Sequence, residues 1–319
     1  MKRMHCRCGQ PVYFDNHSCV NCGRQLAFDC KVLEMQSEDT PGAGLAVCAN
    51  RSNAVRCNWM PKPGNARGLC LSCALSKTIP TLSKPENHGR WRKLEAAKRR
   101  LIYDLLRIGL PVDDSRLKFE FKEDRRTNPD VSDQHVTTGH AAGVITVNAA
   151  EADEVFREQM RQIMNEPWRT LIGHLRHESG HYFFEEVVDA KNRKEARTLF
   201  GDETLSYESA LANYYQYGPA ADWNQRYISA YASAHPAEDW AECWAHYLHI
   251  RSVLEVAADA RILSKGRGGN WYDKFIELVL TLNEIMRALG LPDAYPFVLT
   301  DPVAKKIEFV HRAIARRSA

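Results

Sequence analysis

Nine of the ten cysteines fall within the first 73 residues, at 6, 8, 19, 22, 30, 48, 57, 70 and 73, and only Cys243 lies beyond. This placement constrains the fold more than any other feature. Residues 1–75 carry few large apolar side chains for their length, so burial alone cannot easily offset the entropy of ordering them. Some cross-link or metal has to supply the rest. The N-terminus, MKRMHCRCGQ, has no apolar run of the signal-peptide kind. The expectation is a cytoplasmic, reducing setting, where clustered cysteines serve as metal ligands more often than as disulfides.

Cys6-x-Cys8 and Cys19-x-x-Cys22 form two close pairs, and Gly9 and Gly23 each follow the second cysteine of a pair. Glycine there permits a tight turn whose N–H groups can face a thiolate. Four thiolates suit a closed, tetrahedral structural zinc. The pattern resembles a zinc ribbon. Cys48, Cys57, Cys70 and Cys73 can make a second set of four with looser spacing. Structural zinc sites contribute roughly 10–16 kcal/mol of binding in peptides, enough to replace a missing core. Cys30 is left over and reads as a free thiol, although it could replace a weaker ligand.

At 319 residues, 44% hydrophobic and 26% charged, the chain can bury a sizeable core and divide into two domains. It contains no run of 18 apolar residues, so no membrane span is expected. The net charge of +3 hides an asymmetry. Residues 1–107 hold 18 Lys/Arg against 8 Asp/Glu, and the remainder 25 against 32. Arg90, Arg92, Lys93, Lys98, Arg99 and Arg100 form a basic run that suits an anionic partner such as nucleic acid. The same run also fits the solvated face of a half-buried helix, because Leu94, Ala97, Leu101 and Leu105 recur at helical spacing.

The chemistry-bearing segment is EPWRTLIGHLRHESGHYFFEEVVD, residues 166–189. Its apolar pattern predicts one helix, with Pro167 suited to the first helical position. Within it, His177-Glu178-Ser179-Gly180-His181 is an H-E-x-x-H match. Histidines at i and i+4 leave one helical face together and can reach one zinc, while Glu178 can reach a metal-bound water. Gly180 leaves room for a neighbouring element or for substrate. His174, one turn earlier, reads as a core or supporting histidine rather than a ligand.

A third ligand is needed, and no further histidine follows at the spacing that metzincins use. The downstream candidate is HPAEDWAECWAH, residues 235–246, where Pro236 is placed to start a helix. Glu238 and Glu242 then share a face at i, i+4. Two carboxylates on an otherwise aromatic helix are costly to bury unless paired or metal-bound. Glu238 is taken as the ligand and Glu242 as the carboxylate that orients a ligand histidine, with the reverse assignment open.

The H-E-S-G-H motif with E-D-W-A-E at 238–242 resembles a glutamate-type zincin, a gluzincin-like metallopeptidase. Tyr231, seven residues before Glu238, is similar to the lethal-factor-type zincins. That resemblance implies zinc ligation by Glu238 and oxyanion stabilisation by Tyr231. The cysteine-rich front end, taken with R-T-L-I-G-H-L-R-H-E-S-G-H-Y and H-P-A-E-D-W-A-E-C-W-A-H-Y-L-H-I, resembles the bacterial zinc-binding metallopeptidases with an N-terminal zinc ribbon. This resemblance covers nearly the whole chain and implies fold and chemistry but no substrate.

The expected fold class is α+β: a zinc-ribbon domain over 1–75, a linker over 76–89, and a mainly helical zincin-like domain over 90–319. Helices are predicted at about 90–108, 150–165, 271–289 and 302–317, and strands at 117–121 and 143–148. The second strand is the candidate sheet edge for aligning an extended peptide. The tyrosines at 214, 215 and 217 fit a cleft lining or simple packing. The expected function is zinc-dependent hydrolysis of a peptide bond, with one catalytic and two structural zincs. Its rival is a nucleic-acid- or protein-binding module with an idle zincin domain.

Overall fold

The computed structural model describes residues 2–40, 45–112, 115–263 and 270–317. It separates into two compact units, Met1–Leu175 and Arg176–Ala319. The first combines small cysteine-bearing hairpins with a sheet, and the second is helical. The α+β class stands.

In the first unit, β1 (Met4–His5) pairs antiparallel with β2 (Pro11–Val12), and β3 (Leu26–Asp29) with β4 (Glu34–Ser37). A four-residue helix, α1 (Leu71–Ala74), leads into β5 (Ser76–Thr78). The long helix α2 (Pro85–Arg107) starts with proline in its first turn, where the missing N–H costs nothing. Then come β6 (Lys118–Lys122), β7 (Gly139–Ala141), β8 (Val144–Asn148) and α3 (Glu154–Ile163). The sheet order is β5-β6-β8-β7, with β5, β6 and β8 parallel and β7 antiparallel to β8.

Strand alternation explains why this sheet packs on α2. Phe119 and Phe121 share one face of β6 and are fully buried, and the ammonium of Lys98 lies 5.5 and 5.4 Å from their ring centroids. Glu120, on the opposite face, pairs with Lys77 at 2.9 Å. The cysteine-rich segment shares a core with the same helix. Phe14, Phe28 and Trp59 pack with Tyr103 of α2, at centroid distances from 4.9 to 6.1 Å.

Three expectations need correction. Residues 76–89 are no open linker, because Ser76–Thr78 is a strand of the sheet and Pro85 already begins α2. The strand at 144–148 is not an edge, because β6 and β7 flank it and Gly139–Ala141 forms that end of the sheet. Pro167 does not start the active-motif helix. Thr170 caps it instead: its hydroxyl accepts from the Gly173 N–H at 3.0 Å and its carbonyl from His174.

The basic run on α2 is largely engaged within its own unit. Arg90 faces Asp153, Lys93 pairs with Glu154, Lys98 with Glu95, and Arg100 with Asp15. Arg92 donates to the carbonyl of Ala54, and Arg99 is buried.

The motif helix α4 (Leu171–Val187) crosses the division between the units. The second unit continues with α5 (Arg193–Phe200), α6 (Tyr207–Tyr217), α7 (Trp223–Arg226), α8 (Pro236–Asp259), α9 (Trp271–Ala288) and α10 (Asp301–Arg317). Helix α8 carries Pro236 in its first turn and is capped by His235, whose Nδ1 accepts from the Ala237 N–H at 3.0 Å. Its aromatic face packs on α4. Trp244 stacks on Phe183 at 5.3 Å, and the indole N–H groups of Trp240 and Trp244 donate to Gly180 O and Ser179 Oγ. On its other side, Asp239 forms a buried ion pair with Lys306 of α10 at 2.5 Å.

Candidate metal centres

Both cysteine sets close in space. Sγ atoms of Cys6 and Cys22, and of Cys8 and Cys19, lie 3.7 Å apart, and those of Cys57 and Cys70 lie 3.6 Å apart. In each set all four sulfurs fall within 4.8 Å of one another. A tetrahedron with sulfur at about 2.3 Å from zinc has edges of about 3.8 Å, whereas a disulfide would need about 2.05 Å. The donor chemistry and spacing therefore fit zinc. The first set is partly exposed and the second is wholly buried. Backbone N–H groups of Cys70 and Cys73 donate to Sγ of Cys48 and Cys70 at 3.3 Å, which stabilises thiolate charge.

A buried cation lies near the second set. Four thiolates around one divalent zinc leave net negative charge, and burying it uncompensated is costly. Arg99, only 3% exposed, lies beside it. Burial disfavours the guanidinium charge, but Cys57, Glu95, Cys73 and Asp15 outweigh it and raise the pKa. Among the described residues, its Nε and Nη1 have no hydrogen-bond partner. Cys30 belongs to neither set. It is half-buried, and burial raises its thiol pKa.

The third centre lies between α4 and α8. His177 and His181 leave α4 one turn apart, with their Nε2 atoms at 3.2 Å. Glu238 Oε2 stands 3.0 Å from His177 Nε2, and Glu238 Oε1 stands 3.5 Å from His181 Nε2. Tetrahedral ligation at roughly 2.0–2.1 Å by nitrogen and oxygen gives ligand separations of about 3.3 Å. Two imidazoles and a carboxylate so spaced could hold zinc and leave a fourth position open. His174 is not part of this group.

Glu242 turns to the far side of His177. Its Oε1 lies 2.7 Å from His177 Nδ1, and its Oε2 accepts from the Ser229 hydroxyl at 2.7 Å. Burial opposes its charge, but the contact with His177 holds its pKa down, at about 2. Glu178 is buried beside the histidines. Burial raises its pKa, and the neighbouring His177 and His181 only partly counter this. Gly180 is where the two helices touch. A Cβ there would stand 2.9 Å from Ala241 Cα and 3.1 Å from Trp244 Cβ, so the space it leaves is filled by α8.

Tyr231 lies in a short 3-10 turn, its ring centroid 6.2 Å from that of His177 and 5.8 Å from that of Tyr214. Burial raises its hydroxyl pKa, so the group stays a proton donor. Of the other tyrosines, Tyr215 and Tyr217 are largely exposed. Two participants escaped the sequence reading: Ser229 on Glu242, and Tyr207, whose hydroxyl donates to Glu238 Oε1 at 2.6 Å.

Residues 87–313 match the family described as "Putative zinc-binding metallo-peptidase". The chain belongs to that zinc-binding metallopeptidase family. Residues 3–84 match a zinc-ribbon domain. Uncharacterized proteins of Mycobacterium tuberculosis and Mycobacterium bovis are 38% identical over 98% of this chain and 95% of their own length. No solved structure matches the chain. No helix among the described residues is long and apolar enough to cross a membrane.

Proposed function

We propose that the chain is a zinc-dependent peptidase that hydrolyses amide bonds with Glu178 as the proton-transfer group. The observation that carries this reading is the convergence of His177, His181 and Glu238 within 4.8 Å, with Glu178 buried next to them. His177, His181 and Glu238 would hold the catalytic zinc, and the two cysteine sets would hold structural zincs with no position left for substrate. When bound, zinc supplies Lewis acidity for the scissile carbonyl and for the attacking water.

The chain's own groups supply the rest. Glu178 takes the proton of the attacking water and returns it to the leaving amine, a task suited to a carboxyl beside the ligand histidines whose pKa burial raises. Tyr231 donates its hydroxyl proton to the developing oxyanion as a hydrogen bond. Glu242 holds the Nδ1 side of His177 and so fixes the face that Nε2 presents.

The test is Glu178→Gln in the full chain, assayed on a peptide library together with zinc content. Hydrolysis should fall by a factor of 10² or more, with fold and metal retained. Unchanged hydrolysis would overturn the assignment.

A further inference from the structure

Tyr207 begins α6, a helix with no buried residue. Its position is nevertheless well fixed. Its ring packs edge-on against His235 at 5.2 Å, and both nitrogens of that histidine are engaged, Nδ1 by the Ala237 N–H and Nε2 by the Leu205 carbonyl at 3.1 Å. From this seat the Tyr207 hydroxyl donates to Oε1 of Glu238 at 2.6 Å.

The two oxygens of Glu238 are thereby made unequal. Oε2 faces His177 Nε2 at 3.0 Å. Oε1 is 3.5 Å from His181 Nε2, close enough that both oxygens could close on one cation. A zinc bound through both would become five-coordinate, rather than four-coordinate, once water joined it. An O–H···O⁻ bond as short as this one is strong, and it draws charge from Oε1 that a second metal bond would otherwise use.

We propose that Tyr207 is a positioning residue that restricts Glu238 to ligation through Oε2. The inference rests on His177, His181 and Glu238 being the zinc ligands, and it adds a residue from an exposed helix to the metal centre. It also assigns different tasks to two neighbouring tyrosines: Tyr207 sets the ligand, and Tyr231, in the function proposed above, donates to the oxyanion.

The experiment uses the full chain with Tyr207→Phe, and with Tyr207→Leu as a second variant lacking the donor. Zinc affinity is read by chelator competition, and coordination by the visible spectrum after Co²⁺ replaces zinc at this centre. In both variants the cobalt bands of this centre should weaken as Oε1 of Glu238 enters as a further ligand. Zinc held by the cysteine sets should not change. An unchanged cobalt spectrum in either folded variant overturns the inference alone, whatever the zinc affinity. If His177→Ala removes no zinc from the chain, the underlying assignment of ligands falls as well.

Discussion

Nδ1 of His177 and Oε1 of Glu242 stand 2.7 Å apart, so the histidine whose Nε2 faces Glu238 is gripped at its other nitrogen by a second carboxylate. That grip fixes both the tautomer and the ring angle. Glu242→Ala is expected to weaken zinc binding at this centre by about 10- to 100-fold. Ser229→Ala, which removes only the 2.7 Å hydroxyl contact to the far oxygen, should have a smaller effect in the same direction. Zinc titration of both variants against a competing chelator decides the matter. A larger loss for Ser229→Ala than for Glu242→Ala would show that the carboxylate does not orient the ring.

Gly180 sits where α4 and α8 approach most closely. A methyl group there meets the Cα of Ala241 at 2.9 Å, and backbone cannot swing aside as a side chain can. Gly180→Ala should therefore cost about 1–3 kcal/mol, the usual range for overpacking, despite alanine's better helix propensity. Urea unfolding of the two proteins measures this. Zinc affinity should fall as well, because the strain would separate His181 from Glu238. A stabilised Gly180→Ala protein would mean that the helices are not in contact there.

The parts of the centre that follow helix geometry were legible in the sequence. His177 and His181 share a face through i, i+4 spacing, and Glu238 and Glu242 do so on the next motif. Tyr207 and Ser229 were not legible, since they reach Glu238 and Glu242 from 31 and 13 residues away, with no period to link them. The sheet shows the same divide. Alternation in Lys118–Lys122 and the β-branched residues of Val144–Asn148 mark strands, but nothing in Gly139–Ala141 announces the short strand that takes the edge. Ser76–Thr78 looks like polar linker and pairs with β6 all the same, because tertiary context overrides local composition in so short a strand.

Acid should weaken the α5–α6 corner. Glu203 accepts from Arg197 Nε and from Arg193 Nη1, each at 2.9 Å. Arg197 is the main cause of a carboxyl pKa lowered to about 2, with burial working against it. The folded value lies below the unfolded value of about 4.3. The stabilisation is therefore complete above that value and is lost as pH falls towards 2. Because the arginines are partly exposed, the effect should be only about 1 kcal/mol. The stability gap between the unsubstituted chain and Glu203→Gln should be constant from pH 7 to 5 and shrink below pH 4. A gap that widens on acidification would reverse the sign of the linkage.

The cysteine sets should respond unequally to loss of one ligand. Cys57 is buried among Cys48, Cys70 and Cys73, close to the core built on Phe28 and Trp59, with Arg99 supplying buried charge. Cys57→Ser should release one zinc and leave Arg99 facing a broken site, a combination expected to cost at least about 3 kcal/mol. Cys8 is exposed at the rim of the other set. Cys8→Ser should release its zinc with a milder loss of stability, because water can solvate the remaining thiolates. Cys30→Ser should release none, as that residue lies outside both sets. Zinc counted by native mass spectrometry, alongside thermal melts, separates these outcomes. Loss of zinc from Cys30→Ser would require a different ligand set from the two described.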